Sequence, residues 1–270
     1  WRCPDMCSTC GCSGEGSGTR ISLVPDHHHE HADDHQHEAG HGHGHGHGYQ
    51  AAPTVEETRT ILLEQEILGK NDGLAATTRH RLQERGITAV NLMSSPGSGK
   101  TTLLESTVRA YAGRRETLVI EGDQETWLDA ERIRATGSKV VQINTGAGCH
   151  LDAQMLSSGL AELDPPDNSL VFVENVGNLV CPALFDLGES ARVVIISVTE
   201  GADKPAKYPY MFRTADLVLL NKIDLLPYVD FDVSLCLDLI HQLKPDAQIL
   251  QVSATKGDGL ADWHAWLNAL

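Results

Sequence analysis

The 270-residue chain is 41% hydrophobic with a net charge of −16, so it can bury one sizeable core but is unsuited to general binding of nucleic acid or acidic membrane, whose phosphates reward basic surfaces. No stretch approaches the roughly 18 consecutive apolar residues of a membrane helix, and the first residues lack a signal peptide's apolar core, which predicts a cytoplasmic protein. Four of seven cysteines (Cys3, Cys7, Cys10 and Cys12) cluster near the start, and in a reducing compartment such clusters favour metal or redox chemistry over structural disulfides.

Residues 1–53 hold the run MCSTCGC at 6–12, a Ser/Gly stretch and a His-rich segment at 27–47, with too few large apolar residues to offset the entropy of ordering. They are predicted to form a disordered metal-binding tail ahead of a single domain, 54–270. Residues 54–85 read as helical, with Leu62, Leu63, Ile67 and Leu68 at helical spacing and a Gly/Asn/Asp break near 69–73. Beyond them apolar runs alternate with helical stretches: AVNLM at 89–93, TLVI at 117–120, KVVQI at 139–143, LVFVE at 170–174, RVVIISV at 192–198, DLVLLN at 216–221 and QILQV at 248–252. Continuous apolar strands separated by helices predict an α/β fold with a mostly parallel sheet covered on both faces, whose sites lie beyond the carboxyl ends of the strands.

Directly after the first strand comes SSPGSGKTT, 94–102. Its glycines let backbone N–H groups and the next helix N-terminus face phosphate oxygens. Gly97, Ser98, Gly99 and Thr102 are cradle positions, Lys100 would reach the β- and γ-phosphates, and the Thr101 hydroxyl would ligate Mg²⁺. The strict phosphate-loop pattern has glycine where this chain has Ser94. NKID at 221–224 points to guanine: Asp224 can accept from both N1–H and the N2 amino group, Asn221 can meet the base's other edge, and the Lys222 stem can cover the ring. SATK at 253–256 offers Ser253 and Ala254 as a backbone-donor loop for guanine O6, so the order of motifs favours GTP over ATP. Asp123 in EGD and Glu174 in VENVGN supply acids for Mg²⁺ or its waters, and Gly177 an N–H for the γ-phosphate; ordinary loop carboxylates are the alternative. No glutamine stands where a fast GTPase positions water, which predicts slow, switch-like hydrolysis.

Cys149 and His150 in GAGCHLD, with Cys181 in NLVCP, place thiolate and imidazole at neighbouring strand ends, a donor set suited to Zn²⁺ or Ni²⁺. Three ligands leave a position for water or a group from a second subunit. Cys7, Cys10 and Cys12 form a C-x-x-C-x-C run able to wrap one soft or borderline metal, with a redox dithiol as the rival reading. The His-rich segment suits a labile Ni²⁺ or Zn²⁺ pool, or a solvated linker. Cys236, within VSLCLDLIHQL, reads as core.

The ordered set MCSTCGC, NLMSSPGSGKTTLL, EGDQETWLDAERI, NTGAGCHLDA, VENVGNLVCP, ADKPAKYP and NKIDLLP resembles the HypB family of hydrogenase-maturation GTPases, of the SIMIBI P-loop class, from Met6 to Leu270. Residues 1–5 precede a Met where that family usually starts, so the resemblance assigns no role to Cys3. The resemblance implies a P-loop GTPase that dimerises on binding GTP, with an interface metal site at Cys149, His150 and Cys181 and a high-affinity nickel site at Cys7, Cys10 and Cys12. It also implies three partners: a HypA-like nickel chaperone, the [NiFe]-hydrogenase large-subunit precursor and a nickel-storing prolyl isomerase. A nickel buffer with a secondary GTPase, and a maturation GTPase for urease or a cobalamin-dependent mutase, are the alternatives.

Overall fold

The computed structural model describes residues 55–270 apart from 124–127 and 147, with side chains from residue 65 onward. The fold is that of the compact unit Gln65–Leu270. After helix α1 (Val55–Glu84) come β1 (Thr88–Ser94), α2 (Lys100–Tyr111), β2 (Thr117–Asp123), α3 (Leu128–Arg134), β3 (Val140–Asn144), α4 (Ala153–Leu163) and β4 (Leu170–Glu174). The second half runs α5 (Cys181–Leu184), β5 (Ala191–Ser197), α6 (Lys204–Lys207), α7 (Pro209–Arg213), β6 (Leu217–Asn221), a 3₁₀ turn at Ile223–Tyr228, α8 (Val233–Leu243), β7 (Gln248–Gln251) and α9 (Leu260–Ala269).

The strands form one sheet in the order β3-β2-β4-β1-β5-β6-β7 with every pairing parallel. Each of the seven apolar runs in the sequence is one of these strands. Parallel pairing puts all their carboxyl ends on one edge, where the predicted motifs lie. Along β1, Val90 and Leu92 join a core with Phe172 and Trp263, whereas Ala89 and Met93 face cores on the opposite side, the alternation a pleated strand imposes. Trp263 is fully buried and donates its Nε1–H to Thr107 Oγ1 at 2.9 Å, fixing α9 to α2.

The expected break near 69–73 does not occur: α1 is one continuous helix through Gly69 and Gly73. Two glycines cost about 1 kcal/mol each relative to alanine, but the helix is held by the stripe Asn71, Ala75, Thr78 and Leu82, which is buried at i, i+4, i+7 and i+11. Half of that stripe is polar, so it gives little apolar periodicity, and Ile67 and Leu68 are only half-buried. No helix among the described residues is long and apolar enough to cross a membrane.

Candidate functional site

Between β1 and α2 the chain turns through Gly97 (φ +74°) and Gly99 (φ +99°), left-handed conformations that favour glycine. A Cβ at Gly99 would lie 2.6 Å from Asn221 Nδ2, so glycine is also needed for space. The resting loop is held by three lysines. Lys100 Nζ donates to Ser94 Oγ at 2.9 Å, Lys204 Nζ to Ser95 Oγ at 2.7 Å and Lys222 Nζ to the Gly97 carbonyl at 2.6 Å. Ser94, the departure from the strict pattern, thus gives Lys100 a hydroxyl acceptor that glycine would lack.

Beside the loop a cavity of about 530 Å³ is lined by Thr102, Glu121, Asp123, Glu174 and Gly177 among others. Thr101 Oγ1 donates to Glu174 Oε1 at 2.8 Å, joining α2 to the end of β4. Glu121 lies opposite Glu174 in the β2–β4 register, so two buried carboxyls stand side by side. Burial, and then the neighbouring Glu174, pushes Glu121 up to about 8; burial pushes Glu174 up to about 7 against the pull of Lys100. Oε2 of each has no hydrogen-bond partner. Paired carboxyl oxygens beside a hydroxyl fit a hard divalent cation, as Mg²⁺ demands. Asp123 is half-buried at the same edge, and its carbonyl accepts from Thr145 N–H at 2.9 Å.

The residues predicted to recognise the base converge from two further strand ends. Asn221, buried at the end of β6, donates from Nδ2 to the Ser98 carbonyl (2.9 Å) and accepts at Oδ1 from Ala254 N–H (3.2 Å). It therefore ties the phosphate loop to the loop after β7 rather than standing open towards a base. Lys222 takes a left-handed φ of +63°, and Asp224 Oδ1 accepts from Ser253 Oγ–H at 2.6 Å.

The predicted metal ligands are brought together from chain positions 32 residues apart. Cys149 Sγ lies 2.9 Å from Cys181 Sγ and 3.7 Å from His150 Nδ1, and all three ligand atoms fall within 4.8 Å of one another. Phe185 stacks on His150 with centroids 3.9 Å apart, and burial lowers the imidazole's pKa, favouring the neutral ligand form. Two thiols and an imidazole this close suit a borderline metal such as nickel or zinc. Cys236 is fully buried and its thiol is pushed up to about 11 by burial, as a core residue should be. Cys7, Cys10, Cys12 and the His-rich segment lie outside the described residues.

Between the two sites is Asn175, which sequence reasoning did not single out. Its Oδ1 accepts from Leu151 N–H (3.2 Å) and Val176 N–H (3.0 Å), while its Nδ2 donates to Asn91 Oδ1 (3.3 Å). Leu151 follows His150, and Asn175 follows Glu174. A Cβ at Gly177 would come within 3.0 Å of the Pro96 ring, so this segment rests on the phosphate loop. Glu121 and Lys204 were also passed over as site residues, although EGD and ADKPAKYP contain them.

The family profile described as CobW/HypB/UreG, nucleotide-binding domain matches residues 88–251. A hydrogenase maturation factor HypB of Azotobacter vinelandii is 56% identical over 216 residues, covering 80% of this chain and 71% of that protein. A crystal structure of HypB from Archaeoglobus fulgidus superposes with a TM-score of 0.70 at 40% identity, covering 75% of this chain and 98% of that one. HypB from Helicobacter pylori, solved in complex with nickel, gives a TM-score of 0.69 at 40% identity, covering 74% of this chain and 94% of that one.

Proposed function

Because the chain belongs to the HypB family of hydrogenase maturation factors and carries the CobW/HypB/UreG nucleotide-binding domain, we propose that it is a GTP-hydrolysing metallochaperone that hands nickel on when GTP binds. In this reading Lys100 leaves Ser94 Oγ for the β- and γ-phosphates, and Asp224 selects guanine. Thr101, Glu174 and Asp123 hold Mg²⁺, which when bound neutralises phosphate charge and fixes its geometry. Nickel is cargo for Cys149, His150 and Cys181, with zinc as competitor. The exposed apolar side chains of Val180 (40%) and Leu184 (47%) flank Cys181, which supports a symmetric partner completing the metal's coordination.

One observation carries the coupling: the Asn175 side chain hydrogen-bonds the segment between Glu174 and Gly177 to the backbone directly after His150. A γ-phosphate drawn to the Gly177 N–H pulls Asn175, and Leu151 with His150 follows. Metal affinity then depends on the nucleotide, and reciprocally nucleotide affinity on the metal. Downstream, nickel passes to the hydrogenase large-subunit precursor, supplied by a HypA-like chaperone and a nickel-storing prolyl isomerase. The test is nickel affinity and oligomeric state with GDP against a non-hydrolysable GTP analogue. Indistinguishable values in both states would sink the proposal.

A further inference from the structure

Asparagine is a weak helix former, yet Asn71 sits inside α1 between Gly69 and Gly73 and is only 6% exposed. Both polar atoms of its amide bond to distant partners. Nδ2 donates to the Asp186 carbonyl at 2.8 Å, and Oδ1 accepts from Ala153 N–H at 2.9 Å. Ala153 opens α4, so its N–H is one of the donors a helix leaves without an internal partner, and the local cap Asp152 already serves Met155. Asp186 follows Phe185, the residue stacked on His150. The two bonds of one amide therefore pin the chain three residues after His150 and five after Cys181. Close docking of α1 supports the bonds: Arg79 Nη2 lies 2.6 Å from Asp186 Oδ1, and a Cβ at Gly188 would strike the Ala75 carbonyl.

We infer that Asn71 is the positioning residue of the metal pocket, clipping the Cys149–His150 loop and the Cys181 loop to one helix so that their ligand atoms converge. This rests on the reading of those three residues as nickel ligands. Asn175 ties Leu151 to the segment that leads into Cys181, and Asn71 acts on the far side of both ligand loops, at Ala153 and Asp186. Releasing α1 at this position loosens both loops together, so the affinity of the pocket is set partly from a helix outside the ligand loops. Partners bonded directly to metal ligands typically change affinity about 10- to 100-fold when removed, and Asn71, acting through the backbone beyond the ligands, is expected at the lower end of that range.

The test uses the full chain carrying Cys3→Ser, Cys7→Ser, Cys10→Ser and Cys12→Ser, in which thiolate-to-nickel charge-transfer absorption reports Cys149 and Cys181. Adding Asn71→Ala is expected to lower Ni²⁺ affinity about tenfold and weaken that band. Arg79→Ala removes another α1 anchor without touching Ala153, and is expected to change Ni²⁺ affinity by less than about threefold. Parent-like affinity in Asn71→Ala, or an equal loss in Arg79→Ala, overturns the clip. Asn71→Asp keeps the acceptor and loses the donor, and should bind Ni²⁺ between parent and Asn71→Ala. If Asn71→Ala does not fold, an Asn71→Asp affinity equal to the parent's overturns the inference. Cys149→Ala in the same background separates the two readings: if it leaves the band and affinity unchanged, the nickel assignment fails rather than the clip.

Discussion

Replacing Asn175 with alanine removes three hydrogen bonds at once and probes the link between nucleotide and metal. Leu151 N–H, Val176 N–H and Asn91 Oδ1 lose their partner, in surroundings where Leu151 and Asn91 are fully buried and Val176 is nearly so. An orphaned buried polar group costs about 1–3 kcal/mol, and water entering the vacated space relieves part of the sum, so a loss of about 3 kcal/mol is expected. For a domain of this size that lowers the thermal midpoint by about 6–12 °C. The functional consequence is larger in kind than in degree. Coupling between sites is typically worth about 1–3 kcal/mol, a 5- to 150-fold change in affinity. Nickel affinity measured by competition, with GDP and then with a non-hydrolysable GTP analogue, gives that ratio directly. It should fall towards one in Asn175→Ala. A variant that loses the expected stability but keeps the parent's ratio refutes transmission through this side chain.

Asp224→Asn exchanges a carboxylate acceptor for an amide and should weaken GTP about 10- to 150-fold while favouring xanthosine triphosphate, read by nucleotide competition; an unaltered GTP preference removes Asp224 from base recognition. Gly99→Ala forces a left-handed φ on a residue with a Cβ, at about 1–2 kcal/mol, and drives that Cβ towards Asn221 Nδ2. Nucleotide affinity in equilibrium binding should drop at least about tenfold, and parent-like binding would contradict the packing. Glu121 (about 8) and Glu174 (about 7) lie above the ordinary carboxyl value of 4.5, so between those pH values the folded protein holds more protons from these groups than the unfolded chain. Their contribution is fully present below 4.5 and is lost as pH rises to about 8; thermal melts of the nucleotide-free protein should show a shallower fall over this window in Glu121→Gln or Glu174→Gln, and an unchanged slope would contradict it.

The strands were legible because a sheet covered on both faces needs uninterrupted apolar runs, and the phosphate loop because nucleotide binding requires particular residues at strand ends. The pairing of Cys149 with Cys181 could be anticipated from motif chemistry, since both follow strands. Glu121 could not be paired with Glu174 from spacing, because their adjacency depends on β2 lying beside β4 rather than beside β1. Asn71 was hidden for a different reason. Flanked by glycines, it gives the local signal of a helix stop, and only bonds to partners 82 and 115 residues away reveal what keeps the helix going. Asn175 was likewise silent, since an asparagine's role as a junction is defined by its three partners and not by its neighbours in the chain.

The three lysines resting on the phosphate loop bear on how a nucleotide arrives and leaves. Each ammonium is already held by a hydroxyl or carbonyl, so for Lys100 little rotamer freedom remains to be lost when a phosphate oxygen replaces Ser94 Oγ. Arrival is then a substitution, in which weaker oxygen ligands are exchanged for stronger ones. Once the nucleotide leaves, the same three bonds can re-form, so the empty loop has a defined resting state.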